Sequence, residues 1–83
     1  MPTVYILQDG DNRIYIGSTT DLERRQREHR RGHTSTTRKL RDFTVVWKKD
    51  TVELAEARKI ERKIKNWKSR RMVDLLIRGV IDV

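Results

Sequence analysis

Two short runs of β-branched and aromatic residues, Thr3-Val4-Tyr5-Ile6-Leu7 and Arg13-Ile14-Tyr15-Ile16-Gly17, flank the turn-forming stretch Gln8-Asp9-Gly10-Asp11-Asn12. That pattern predicts a β-hairpin. With a symmetric five-residue loop, Val4 faces Ile16, Ile6 faces Ile14 and Tyr5 faces Tyr15. Side chains alternate along a strand, so the four aliphatics share one face and the two phenols meet on the other. Phe43-Thr44-Val45-Val46-Trp47-Lys48 reads as a third strand completing an antiparallel sheet.

Helical periodicity appears three times. Thr20 with Glu23 has the spacing of a capping box, and Asp21 suits a first turn, predicting a helix from Asp21 to Arg31 that stops near Gly32. Its inward stripe is unusual: Leu22 is followed on that face by Arg25, Gln26 and His29. A helix in a small domain needs to bury something, so polar groups there suggest a wet, functional face. Asp50 and Glu53 give a second capping signal, after which Leu54, Ala57, Ile60, Ile64 and Trp67 recur at helical spacing as a core stripe. Ser69 can cap a last helix with Met72, Val73, Leu75 and Leu76 inward and Gly79 as its stop. The expected fold is α+β, a small three-stranded antiparallel sheet flanked by three or more helices in a single domain over residues 1–83.

Composition narrows the chemistry. Twenty Lys and Arg against 12 Asp and Glu leave a net charge of +8 on 83 residues, a balance that attracts polyanions. Nucleic acid is the leading partner, and an anionic membrane surface is the weaker one. The chain has no cysteine, which excludes disulfide scaffolds and Cys-ligated metal sites. Apolar runs of four residues, such as Val4 to Leu7, do not span a bilayer, and a cytoplasmic protein is expected.

Thr3-Val4-Tyr5, nine residues, then Tyr15-Ile16-Gly17 resembles the paired signature of the GIY-YIG nuclease superfamily. Asp21-Leu22-Glu23-Arg24-Arg25 with His29 resembles its helix motif, and Ala57 and Glu61 followed by Ile64-Lys65 and Trp67 its metal-binding helix. The similarity runs from about Thr3 to Leu76, in the form of the small stand-alone bacterial members. Two positions depart from the pattern: Thr3 stands for the glycine that opens the first signature, and Val4 for the usual isoleucine. Asn66, five residues beyond Glu61, is not assigned the role of the family's downstream polar residue.

The resemblance implies hydrolysis of a phosphodiester bond with one divalent metal, Mg²⁺ or Mn²⁺. Carried over by position, it makes Tyr5, Tyr15, Arg25, His29 and Glu61 the catalytic set, with Glu61 as metal ligand. Each has a plainer reading: strand aromatics for the tyrosines, a solvated surface for Arg25, a helix-end residue for His29, and an i,i+4 ion pair with Lys65 for Glu61. Their chemistry favours a site. A phenol can relay a proton, a guanidinium matches a phosphorane-like charge, and a histidine titrates near neutral pH. A single carboxylate suffices for Mg²⁺, which keeps several waters. Arg30, Arg31, Arg38, Lys39, Lys65, Lys68, Arg70 and Arg71 are the expected contacts to backbone phosphates, reading no sequence. His33 is read as loop decoration, and Trp47 and Trp67 as core. The expectation is an endonuclease acting on DNA, with no membrane role; a basic nucleic-acid-binding module without turnover is the alternative. Dimerisation is not legible.

Overall fold

β1 (Thr3–Gln8) and β2 (Ile14–Thr19) are followed by α1 (Leu22–Arg30), then β3 (Thr44–Asp50), α2 (Leu54–Asn66) and α3 (Arg70–Ile77). This computed structural model describes residues 1–30 and 44–83, without the side chains of His29 and Arg30. Phe43, His33 and the predicted phosphate contacts Arg31, Arg38 and Lys39 lie outside the described residues.

The sheet is antiparallel with strand order β2-β1-β3. β1 is therefore central, and Val4, Tyr5, Ile6 and Leu7 are all buried, on both faces of the sheet. Its uncharged run is what such a strand requires, since each aliphatic side chain taken fully out of water contributes about 1.5–3 kcal/mol. Val4 and Ile6 join Ala57, Ile64, Val73 and Leu76 in the larger core, beneath α2 and α3. Tyr5 and Leu7 form a smaller cluster with Tyr15, Leu22 and Val45. Trp47 and Trp67 both pack against the larger core, partly buried.

The hairpin differs from expectation in register. Tyr5 pairs with Gly17, Ile6 with Ile16, Leu7 with Tyr15 and Gln8 with Ile14. A shift of two residues keeps every side chain on its predicted face but makes the tyrosines diagonal neighbours. Asp9 causes the shift: its carboxylate accepts from the backbone N–H groups of Asp11 and Arg13 at 2.9 and 2.8 Å. Asn12, at φ 64°, takes the left-handed turn position. The loop thus closes from Asp9 to Arg13, and Gln8 is drawn into the strand.

Two predicted caps also move. At α1 the cap is Asp21, not Thr20: the Asp21 carbonyl accepts the first helical bond from Arg25, and its carboxylate accepts from the Arg24 N–H at 3.1 Å. Asp50 stays in β3, accepting from the Thr3 hydroxyl at 2.8 Å, and α2 starts from Glu53 without a side-chain cap. The last helix follows the sequence. Ser69 Oγ accepts from Met72 N–H, and Gly79 at φ 77° closes α3 through Gly79 N–H to Leu76 and Val80 N–H to Leu75.

Burial pushes the Asp9 carboxyl's pKa up, but bonds from the Arg13 N–H and guanidinium and the Asp11 N–H outweigh it and hold the pKa below the ordinary value of 3.8. A depressed carboxylate contributes stability above its unfolded pKa and loses it as pH falls through the folded value. Asp9→Ala is expected to lower Tm near neutral pH, and the gap from wild type to narrow steadily below about pH 4 in thermal melts.

Candidate active site

Pairing of Tyr5 with Gly17 sets the geometry of the site. A Cβ built on Gly17 would lie 2.7 Å from the Tyr5 hydroxyl and 3.1 Å from the Tyr15 ring. Only glycine lets the Tyr5 ring lie across the β2 backbone, toward the sheet edge that β2 forms. The two rings sit 6.4 Å apart between centroids and tilted by 31°. Tyr5 is almost wholly enclosed, while Tyr15 is half-buried beside it.

α1 reaches this cluster through Leu22. Arg25, three residues on, is half-buried, with its side chain 40% exposed and its guanidinium 3.6 Å from the Glu28 carboxylate. Glu28 was not foreseen; it lies at i+3 from Arg25, the spacing of a helical ion pair. His29 lies four residues beyond Arg25, within α1.

Glu61 approaches from α2. Its carboxylate is only 19% exposed and accepts from Lys65 Nζ at 2.6 Å and from the Ser18 hydroxyl. The predicted i,i+4 ion pair with Lys65 is therefore formed, and a contact from β2 is added to it. Ser18 is the member that sequence reasoning missed. Its signal was available: it follows Gly17 in a strand, so it points to the opposite face from Tyr15 and Gly17, toward α2.

The charges converge on the Tyr5 phenol. Burial raises its pKa first, the neighbouring Tyr15 raises it further, Arg25 pulls it down, and Glu61 and Glu28 push it up, leaving it well above the ordinary value of 10.0. Three of the other predicted catalytic residues, Tyr15 from β2, Arg25 from α1 and Glu61 from α2, thus act electrostatically on the hydroxyl of Tyr5 in β1. The fifth, His29, has its side chain outside the described residues.

Among the described residues, no group of three or more His, Cys, Asp or Glu could hold a metal. Glu61 still fits a hard cation that is bound largely through water and phosphate. Each of its oxygens accepts one hydrogen bond and keeps a further lone pair, and the half-exposed Lys65 can withdraw into solvent. Of the expected phosphate contacts, Lys65, Lys68, Arg70 and Arg71 are exposed. Arg70 is engaged within the chain, donating to Asp74 at 3.0 Å and to the Asn12 carbonyl. No helix among the described residues is long and apolar enough to cross a membrane.

Gly17→Ala is expected to displace the enclosed Tyr5 ring. A cost of about 1–3 kcal/mol should appear in denaturant melts, with a changed near-ultraviolet tyrosine signal. Unaltered spectra and stability would show that the ring is not held against β2.

Known proteins place this arrangement. Residues 1–73 match the GIY-YIG catalytic domain. The UPF0213 protein YhbQ of Escherichia coli K12 is 29% identical over 77 residues, which cover 92% of this chain and 77% of that protein. A UPF0213 protein of Cronobacter sakazakii is 32% identical over 74 residues, covering 88% and 78%. The solution structure of the UPF0213 protein BH0048 from Bacillus halodurans superposes with a TM-score of 0.60 at 34% identity, covering 93% of this chain and 83% of that one. With its paired tyrosine signature on adjacent strands and Glu61 brought to their edge, the chain belongs to the GIY-YIG family, a nuclease-type family, and is similar to its small stand-alone bacterial members.

Proposed function

We propose that the chain is a divalent-metal-dependent endonuclease that hydrolyses phosphodiester bonds in DNA and holds it mainly through backbone phosphates. The observation that carries this reading is the Tyr5 ring laid across Gly17 beside Tyr15, with Glu61 held by the adjacent Ser18 of the same strand and Arg25 lowering the Tyr5 pKa against its burial. A folding role alone asks for no cation and carboxylates around a buried phenol.

Glu61 would hold Mg²⁺ or Mn²⁺, and Ser18 orients its carboxylate. When bound, the ion supplies Lewis-acid stabilisation of the charge on the reacting phosphate. Arg25, freed from Glu28 by a stronger anion, donates paired N–H groups to the same developing charge. Tyr15 steadies the phosphate from β2. As the water oxygen bonds to phosphorus and the P–O bond to the leaving oxygen breaks, one proton must leave the water. The raised pKa keeps Tyr5 a neutral phenol near neutral pH, so it orients the water by hydrogen bonding and the proton passes to His29.

Cleavage of labelled duplex, single-stranded, flapped and four-way-junction DNA tests this reading. Cutting is expected with Mg²⁺ or Mn²⁺, to stop with EDTA, and to fall by about 10²–10³ in Arg25→Ala and Glu61→Ala while DNA binding persists. Tight binding without cutting in either metal, by wild type and both variants alike, would sink the enzymatic reading in favour of a binding module.

The pH profile tests the proton's route. The cutting rate should rise with pH through the histidine range, near 6.5, and level off above it, with the rise lost in His29→Ala. A rate still climbing beyond about pH 9 would give the proton to a tyrosine instead.

A further inference from the structure

α2 carries a second feature that the proposed site leaves unused. A groove of about 630 Å³ opens beside it, floored by Ile60, Trp67 and Val83 and rimmed by Lys59, Arg62 and Lys63. Its volume lies within the roughly 300–1,000 Å³ of small-molecule sites. Asn66 adds an amide at the edge, and among the described residues no Asp or Glu side chain lines the groove. Trp67 is half-buried: it packs on the core while contributing to the groove wall.

At 3.6 residues per turn, Glu61 and Lys65 stand on one side of the buried Ala57–Ile64 stripe and Lys63 and Trp67 on the other. Between them, around the solvent side of the helix, run Arg58, Arg62 and Lys59, all exposed. A band of cations therefore leads from the Glu61 carboxylate around α2 to the aromatic groove. An apolar ligand alone would gain nothing from three rim cations, and a compact anion nothing from an indole floor. A nucleotide uses both, because every base has a π-face and every linkage a charge.

We propose that this groove is an accessory nucleotide site, in which an unpaired base stacks on Trp67 while the phosphates beside it lie against Lys59, Arg62 and Lys63. The proposal rests on the reading that the chain binds nucleic acid, and adds that its substrate has a single-stranded portion. A paired base cannot enter the groove without leaving its own stack.

The test is binding in EDTA, where no metal-dependent cutting intervenes, of wild type and variants to a labelled oligothymidylate of about 12 nucleotides and to a blunt duplex. Trp67→Leu keeps an apolar side chain on the core but removes the π-face, and Trp67→Phe restores one. The leucine variant should lose about five-fold or more in affinity for the single strand and little for the duplex, and the phenylalanine variant should recover much of it. Lys63→Ala should flatten the salt dependence of single-strand binding by about 0.7 in log–log slope. Equal affinity of wild type and Trp67→Leu for the single strand overturns the accessory site but leaves the nuclease reading standing. So does an equal loss on both ligands, which makes Trp67 a residue of the fold. Failure of wild type to bind either ligand overturns both.

Discussion

The central strand has no face left for water. β1 lies between β2 and β3, with helices over one side of the sheet and the Leu22 contact from α1 on the other. Alternation then divides its residues: Val4 and Ile6 must enter one core and Tyr5 and Leu7 the other. Tyr5 is the costly member, because its hydroxyl cannot be left unsatisfied inside apolar surroundings. Gly17 relieves that constraint, letting the ring cross the β2 backbone so that the hydroxyl lies by the sheet edge, among charges. A buried tyrosine thereby becomes the centre of a polar site without any cavity being opened in the larger core.

The same alternation explains what could be read in advance. A hairpin of β-branched residues fixes faces by parity, so the separation of aliphatics from phenols survives a register error of two. The error came from Asp9, whose side chain builds an Asx-type turn of its own and moves the loop toward Arg13. A list of turn-forming residues cannot say which of them caps the turn. At α1, Thr20 and Asp21 are adjacent and chemically equivalent as caps, and backbone geometry decides between them. Ser69 and Gly79, each unrivalled at its end of α3, were legible at once.

Members of the candidate site could be named where resemblance supplied spacing, and not where partners come from other elements. Ser18 is one of many hydroxyls in the chain until α2 is laid across β2, when it becomes the donor that fixes Glu61. Glu28 is likewise one helix carboxylate among several until Arg25 turns toward it. Both are consequences of packing between or along elements that no one-dimensional pattern records. Thr3, which stands where the superfamily signature begins with glycine, bonds Asp50 at the far side of β1 from β2. Its departure therefore bears on the β1–β3 pairing, not on the space around Tyr5.

α2 serves both the fold and the candidate site. Only Ala57 and Ile64 of its thirteen residues are fully buried, a narrow stripe for a helix that anchors the larger core. The narrowness leaves the flanks free: a partly enclosed carboxylate on one and an indole-lined groove on the other, with cations across the exposed face between them. A wider apolar stripe would stabilise the fold further but would replace Glu61, which stands beside it. Repulsion among the cations is the cost of this arrangement, and Glu61 offsets part of it through Lys65. A polyanion laid along the helix would relieve the remainder, so the groups that weaken the free helix are those that would hold its ligand.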